Sequence, residues 1–189
     1  MTLEEYRQLF DEILNGRYQQ PPYDNEAYHN YVKLNQSRMS RWDKKGHIDA
    51  ELGDLLQAID QHQTWVIITE PWCGDAANSI PLIEKMAAIN PKITPVVQLR
   101  DSNSEIDQYL TNGGRSIPIV IARNAQGEDL FVWGPRPAEA QAMVLEQKRD
   151  STTSQDDKYA EVLQWYRKDE GHSIQEEFKA LLRPLVAVG

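Results

Sequence analysis

Residues 65–81 read Trp65-Val66-Ile67-Ile68-Thr69-Glu70-Pro71-Trp72-Cys73-Gly74-Asp75-Ala76-Ala77-Asn78-Ser79-Ile80-Pro81, and the reading of this stretch decides the fold. It opens on a run of aromatic and β-branched residues, the composition of a buried strand. A Pro-Trp-Cys-Gly turn follows, and from about Asp75 the chain can be helical. Cys73, the only cysteine of the protein, stands at that junction. A thiol at a helix N-terminus faces unpaired backbone N–H groups and the positive end of the helix dipole, and both favour the thiolate. The stretch therefore singles out one candidate reactive atom, the sulfur of Cys73.

Downstream, the helix from Asp75 runs to Ile89 and stops at Asn90-Pro91. Ile93–Leu99 reads as the next strand. Ser104 is placed to cap a helix through Leu110, which Thr111-Asn112-Gly113-Gly114 ends. In Arg115-Ser116-Ile117-Pro118-Ile119-Val120-Ile121-Ala122, Pro118 either begins an edge strand or follows a cis bond, which only proline makes cheap. Asn124-Ala125-Gln126-Gly127 is a hairpin turn into a strand over Asp129–Trp133. Pro137 starts a helix to about Lys148, residues 150–157 are polar and loop-like, and helices follow at about 157–168 and 173–182. Ser173 and Glu176 have capping-box spacing.

Upstream, three helices precede the strand. Residues 2–15 carry a capping box in Thr2 and Glu5, an apolar stripe from Leu3 to Leu14 and an Asn15-Gly16 stop. The second runs from Asp24 to about Trp42 and the third from Asp49 to about Asp60. In the second, Arg38 and Arg41 share a face. They are auxiliary candidates, able to bring positive charge to the Cys73 thiolate or to an anionic substrate. The alternative is an ordinary exposed basic face in an acidic protein, where ion pairs are weak.

A chain of 189 residues with 40% hydrophobic content fits one domain with extensions. A net charge of −9 speaks against nucleic acid or an anionic membrane surface as partner. One cysteine excludes an internal disulfide, so no disulfide-stapled secreted fold is expected. The start lacks a basic, then apolar, signal segment, and no apolar run is long enough to span a bilayer, which makes a cytoplasmic location the expectation. One cysteine and four scattered histidines have no ligand spacing, so neither a metal nor another cofactor is expected.

The segment around Cys73 resembles the active site of the thioredoxin family, which carries W-C-G-P-C after a buried strand; here the frame is Trp72-Cys73-Gly74-Asp75-Ala76. The attacking-cysteine position is kept, Ala76 stands at the resolving position, and Asp75 replaces the intervening proline. Pro81 matches the family's helix-kinking proline, and Ile67 stands where the family buries a carboxylate. Ile117-Pro118 resembles the second signature, a cis-proline loop beside the reactive cysteine, and Gly134 matches the glycine after the last strand. The resemblance covers about residues 61–149 and implies an α/β thioredoxin-like fold, a central mixed sheet flanked by helices. Residues 1–60 then form a helical extension packed on that core, and residues 150–189 carry C-terminal helices. Bacterial thioredoxin-like proteins with long helical flanks are the more similar group.

The resemblance implies Cys73 as the catalytic residue, with Trp72, Gly74, Asp75, Ile117 and Pro118 binding substrate through the loop backbone. Two thiols are needed for the family's dithiol reduction, so three readings remain open. One is a monothiol thiol–disulfide oxidoreductase whose partners are protein or low-molecular-weight thiols and disulfides. Another is a redox-inactive binding or scaffold module using the same groove. The third is an acid–base enzyme using Asp75 or Glu70. On the first reading, Ala76→Cys with Asp75→Pro should restore dithiol activity.

Overall fold

The computed structural model describes residues 1–186. Four strands form one mixed sheet in the order β2-β1-β3-β4, with β1 Gln63–Thr69, β2 Ile93–Leu99, β3 Ile119–Arg123 and β4 Asp129–Trp133. β1 runs parallel to β2 and antiparallel to β3, and β3 and β4 form the antiparallel hairpin. β1 is central, which explains its unbroken apolar run: a strand covered on both faces has no solvent side to alternate toward. Its connection to β2 is α4 (Gly74–Ile89), a helix buried along most of its surface.

Around this sheet stand α1 (Leu3–Leu14), α2 (Glu26–Lys45), α3 (Ala50–Gln57), α5 (Ala138–Arg149), α6 (Gln155–Asp169) and α7 (His172–Val186). Thr2 and Glu5 complete the expected capping box on α1. α2 lies along α4 and carries Val32, Met39 and Trp42 into the interior. The cross-strand set Trp65↔Ala122↔Phe131 puts these side chains on one face of the sheet. Phe178 of α7 packs against both Trp65 and Phe131, with ring centroids 5.5 and 5.8 Å away. Tyr6, Phe10 and Ile13 of α1, Leu52 and Leu56 of α3, and Phe178 and Leu182 of α7 all belong to the same apolar core as the sheet.

Three local expectations are corrected. Between β2 and β3 there is no helix over 104–110, only a single 3-10 turn at Ile106–Gln108. Ser104 spends its hydroxyl on Arg100 O (2.8 Å), and Glu105 turns back to pair with Arg123 at 2.6 Å. Ser173 does not start the last helix either. α7 begins at His172, and the backbone N–H of Ser173 donates to Asp169 at the end of α6. α6 in turn begins earlier than its pattern suggests because Ser154 caps it, accepting from Asp157 N at 3.1 Å.

Candidate functional site

Cys73 is the N-cap of α4, and its sulfur accepts the Ala76 N–H at 3.5 Å, so the sulfur and the helix end meet as the sequence suggests. The same sulfur donates to Ile117 O at 3.3 Å. The Ile117–Pro118 bond is cis, and Ile117 lines the same cleft as Cys73 while Pro118 is not in its lining. Gly134, at φ +125°, sits so close to Pro118 O that a β-carbon there would clash with backbone, which explains a glycine at this position.

Cys73, Trp72, Gly74, Asp75 and Ile117 line one cleft of about 820 Å³, together with Arg100, Arg136 and Tyr159. Arg100 lies over the Trp72 ring at 4.7 Å, a cation–π contact. Trp72 Nε1 and Arg136 Nε are buried donors with no acceptor among the described residues.

The expectation of a favoured thiolate is reversed. Cys73 is only 6% exposed, and its thiol is pushed up to about 12, first by burial and next by the Asp75 carboxylate. The Ala76 N–H and the Arg136 guanidinium act the other way but are outweighed. The helix end does what the sequence implies; the cover over it decides the outcome.

That cover is α6. Tyr159 places its hydroxyl so close to Gly74 that a β-carbon at Gly74 would meet it. Tyr166, seven residues on and so on the same face, donates to Asp75 Oδ1 at 2.7 Å. Arg136 donates to Asp75 Oδ2 at 2.6 Å, with the two side chains 14% and 15% exposed. Asp75 is thus neither a bare helix-start residue nor a free base: both oxygens are held, one by α6 and one by the segment after β4.

Arg38 and Arg41 do not line the cleft. Arg38 reaches it indirectly, donating to Tyr159 Oη at 2.9 Å and to Asn35 Oδ1 at 2.5 Å. The cations whose charge couples to the Cys73 thiol are Arg136 and Arg100. Glu70 is 2% exposed and faces away, accepting from Tyr23 Oη and from Asp101 N at 3.0 Å. Burial raises its pKa.

Sequence reasoning missed Arg100, Arg136, Tyr159 and Tyr166. The last two carried a signal in their seven-residue spacing on a polar helix. Arg136 and Arg100 carried none, since each is placed only by the chain returning from a distant strand. No group of His, Cys, Asp and Glu able to hold a metal occurs among the described residues. Among them too, no helix is long and apolar enough to cross a membrane.

The Thioredoxin family profile matches residues 22–159. No curated protein matches the chain. Among solved structures, a protein of unknown function from Pseudomonas aeruginosa is similar at TM-score 0.60 and 15% identity, over 82% of this chain and 90% of that one. An HIV epitope-scaffold protein is similar at TM-score 0.57 and 18% identity, again over 82% and 90%.

Proposed function

The chain belongs to the thioredoxin family, and from that premise we propose that it is a monothiol thiol–disulfide oxidoreductase with Cys73 as the reacting group. A partner disulfide lies in the cleft, with the backbone at Ile117–Pro118 holding the partner chain and Trp72 and Gly74 flanking it. The Cys73 thiol gives its proton to solvent and its sulfur attacks one partner sulfur. One S–S bond forms, the other breaks, and the departing sulfur leaves as a thiolate that takes up a proton. With Ala76 at the resolving position, a second thiol must attack the mixed disulfide and return Cys73 to the thiol. That thiol is glutathione, bacillithiol or a partner cysteine. A reducing compartment such as the cytoplasm suits a lone free thiol, and the charge of −9 leaves nucleic acid and anionic membranes outside the proposed partners.

The observation that carries this reading is that the buried sulfur stands on a cleft wall, at a helix N-cap, accepting a backbone N–H. A cysteine that merely fills a core has no such position. Burial is the larger of the two influences holding the thiol protonated. Lifting α6 as a partner enters relieves it and leaves the Ala76 N–H and Arg136 against the Asp75 carboxylate alone. In the free protein α6 therefore guards the thiol.

The test is trapping. Folded protein mixed with glutathione disulfide should acquire one adduct at Cys73, seen by intact mass, that added glutathione releases; Cys73→Ser should acquire none. Ala76→Cys should then form an internal disulfide and gain insulin reduction, since residues three apart in the first turn bring both sulfurs within reach. The second reading, a binding module without turnover, draws support from the burial and raised pKa of the thiol. It would stand if the folded protein forms no adduct while the unfolded protein does. Acid–base catalysis by Asp75 or Glu70 has less support, because both carboxylates are held by partners on both oxygens.

A further inference from the structure

On the other side of the α4 N-terminus is a second, smaller cleft between α2 and α6, of about 160 Å³. Three arginines line it, Arg38 and Arg41 from α2 and Arg167 from α6, with Trp42 and Asn78 also in its lining and no carboxylate. We propose that this cleft is a binding site for a single phosphate-type oxyanion, held between the two helices by Arg38, Arg41 and Arg167.

The charge pattern is the first support. The chain has 29 acidic and 20 basic residues, so an arginine here has an excess of carboxylates to choose from. Arg7, Arg100, Arg115, Arg123, Arg136 and Arg183 each have a carboxylate within 4.0 Å. Among the described residues none of the three cleft arginines does, nor do Arg17 and Arg149, but the cleft three line one space and the other two stand apart from it. Like charges brought together without a counter-charge raise the energy of the free protein, and an anion between them relieves it.

The second support is preorganisation. Arg38 is fixed by Asn35 Oδ1 (2.5 Å) and Tyr159 Oη (2.9 Å), with its guanidinium 5.5 Å from the Tyr159 ring centroid. Arg41 lies over the Trp42 ring at 5.9 Å. Trp42 is itself pinned, donating to Asn78 Oδ1 at 3.0 Å, while Asn78 donates to Gly74 O at 2.8 Å. Two of the guanidiniums are thus positioned before any ligand arrives, which reduces the entropy lost on binding. Guanidinium forks match tetrahedral oxyanions through paired N–H donors. The volume lies below the roughly 300–1,000 Å³ of pockets for drug-sized ligands, so one phosphate group fits and a nucleotide does not.

The test is calorimetric titration of the full chain with inorganic phosphate, with ionic strength held constant by sodium chloride. Wild type should show saturable binding of one equivalent. Arg167→Gln, an exposed position whose loss leaves the core intact, should weaken it at least about tenfold, the scale of a lost charge-assisted hydrogen bond. Arg41→Gln should do the same, and Cys73→Ser should leave it unchanged, which separates this site from the redox cleft. Glycerol phosphate serves as the second probe. Tighter binding than inorganic phosphate points to an esterified ligand, and weaker binding points to the free ion. Non-saturating heats, or equal affinity in wild type and both arginine variants, would overturn the proposal.

Discussion

α6 and α7 are consecutive helices of 15 residues each, and they are attached to the molecule in opposite ways. α7 sends Phe178 and Leu182, each 0% exposed, into the common core against Trp65, Phe131 and Trp133. α6 has no residue in that cluster and buries less apolar surface, through Val162 and Tyr166 beside Lys158. Polar contacts do much of its holding: Tyr166 to Asp75, Arg38 to Tyr159, and Lys158 to Asp150 O. Dispersion and apolar burial fix α7 for the lifetime of the fold, whereas a few hydrogen bonds with a net worth of about 1 kcal/mol each do much to hold α6. Elements with few buried apolar contacts open locally, well below the cost of global unfolding. The contrast separates the part of the chain that makes the fold from the part that covers the thiol.

Breaking the α7 side should have the largest effect. Phe178→Ala should lower stability by about 3–5 kcal/mol, the range for truncating a buried aromatic, read as a drop in the urea midpoint with the whole fold melting together. Next is Asp75→Pro. The sequence alone suggests that proline here helps, since it suits the first turn of a helix. For stability the structure argues the other way, because the change leaves the Arg136 guanidinium buried without its carboxylate. A loss of about 3 kcal/mol is expected from a broken buried pair, with faster Cys73 labelling because the opposing charge has gone.

Tyr166→Phe sharpens the comparison. It removes one hydroxyl of the α6 latch and should cost about 1 kcal/mol in global stability, yet raise the native labelling rate of Cys73 several-fold. If labelling and stability change in proportion, α6 and α7 belong to one cooperative unit and the distinction fails. The smallest effect is on pH dependence. The folded thiol titrates at about 12 against an ordinary 9.0, so between these values the folded chain keeps a proton that the unfolded chain has lost. The resulting stabilisation is complete below about pH 9 and fades as the pH rises toward 12. Urea midpoints of wild type and Cys73→Ser should therefore diverge only above about pH 9, with wild type falling faster.

The strand–turn–helix at 65–81 and the hairpin at 119–133 were legible because each is local: a β-branched run, a turn and a helix-compatible segment in sequence. Thr2 and Glu5 announced α1 in the same way. The short 3-10 turn at Ile106–Gln108 was not legible, because Ser104 and Glu105 are drawn to Arg100 and Arg123 by contacts made only after folding. The position of Cys73 on a helix end was readable, but its protonation was not. That depends on burial and on the Asp75 carboxylate, whose oxygens are held by Tyr166 and Arg136 from distant parts of the chain. Arg38 and Arg41 line a space with Arg167 and not the cleft that holds Cys73, which Arg38 meets only through Tyr159.

The most direct test of the guarded, reactive thiol is the rate of Cys73 labelling by iodoacetamide at fixed pH, followed against urea below the unfolding midpoint. If α6 opens locally, labelling in dilute urea proceeds with a slope much smaller than that of global unfolding, and Tyr166→Phe raises the rate without changing that slope. Labelling that tracks global unfolding with its full slope at every urea concentration would make Cys73 an inert core cysteine and contradict the account.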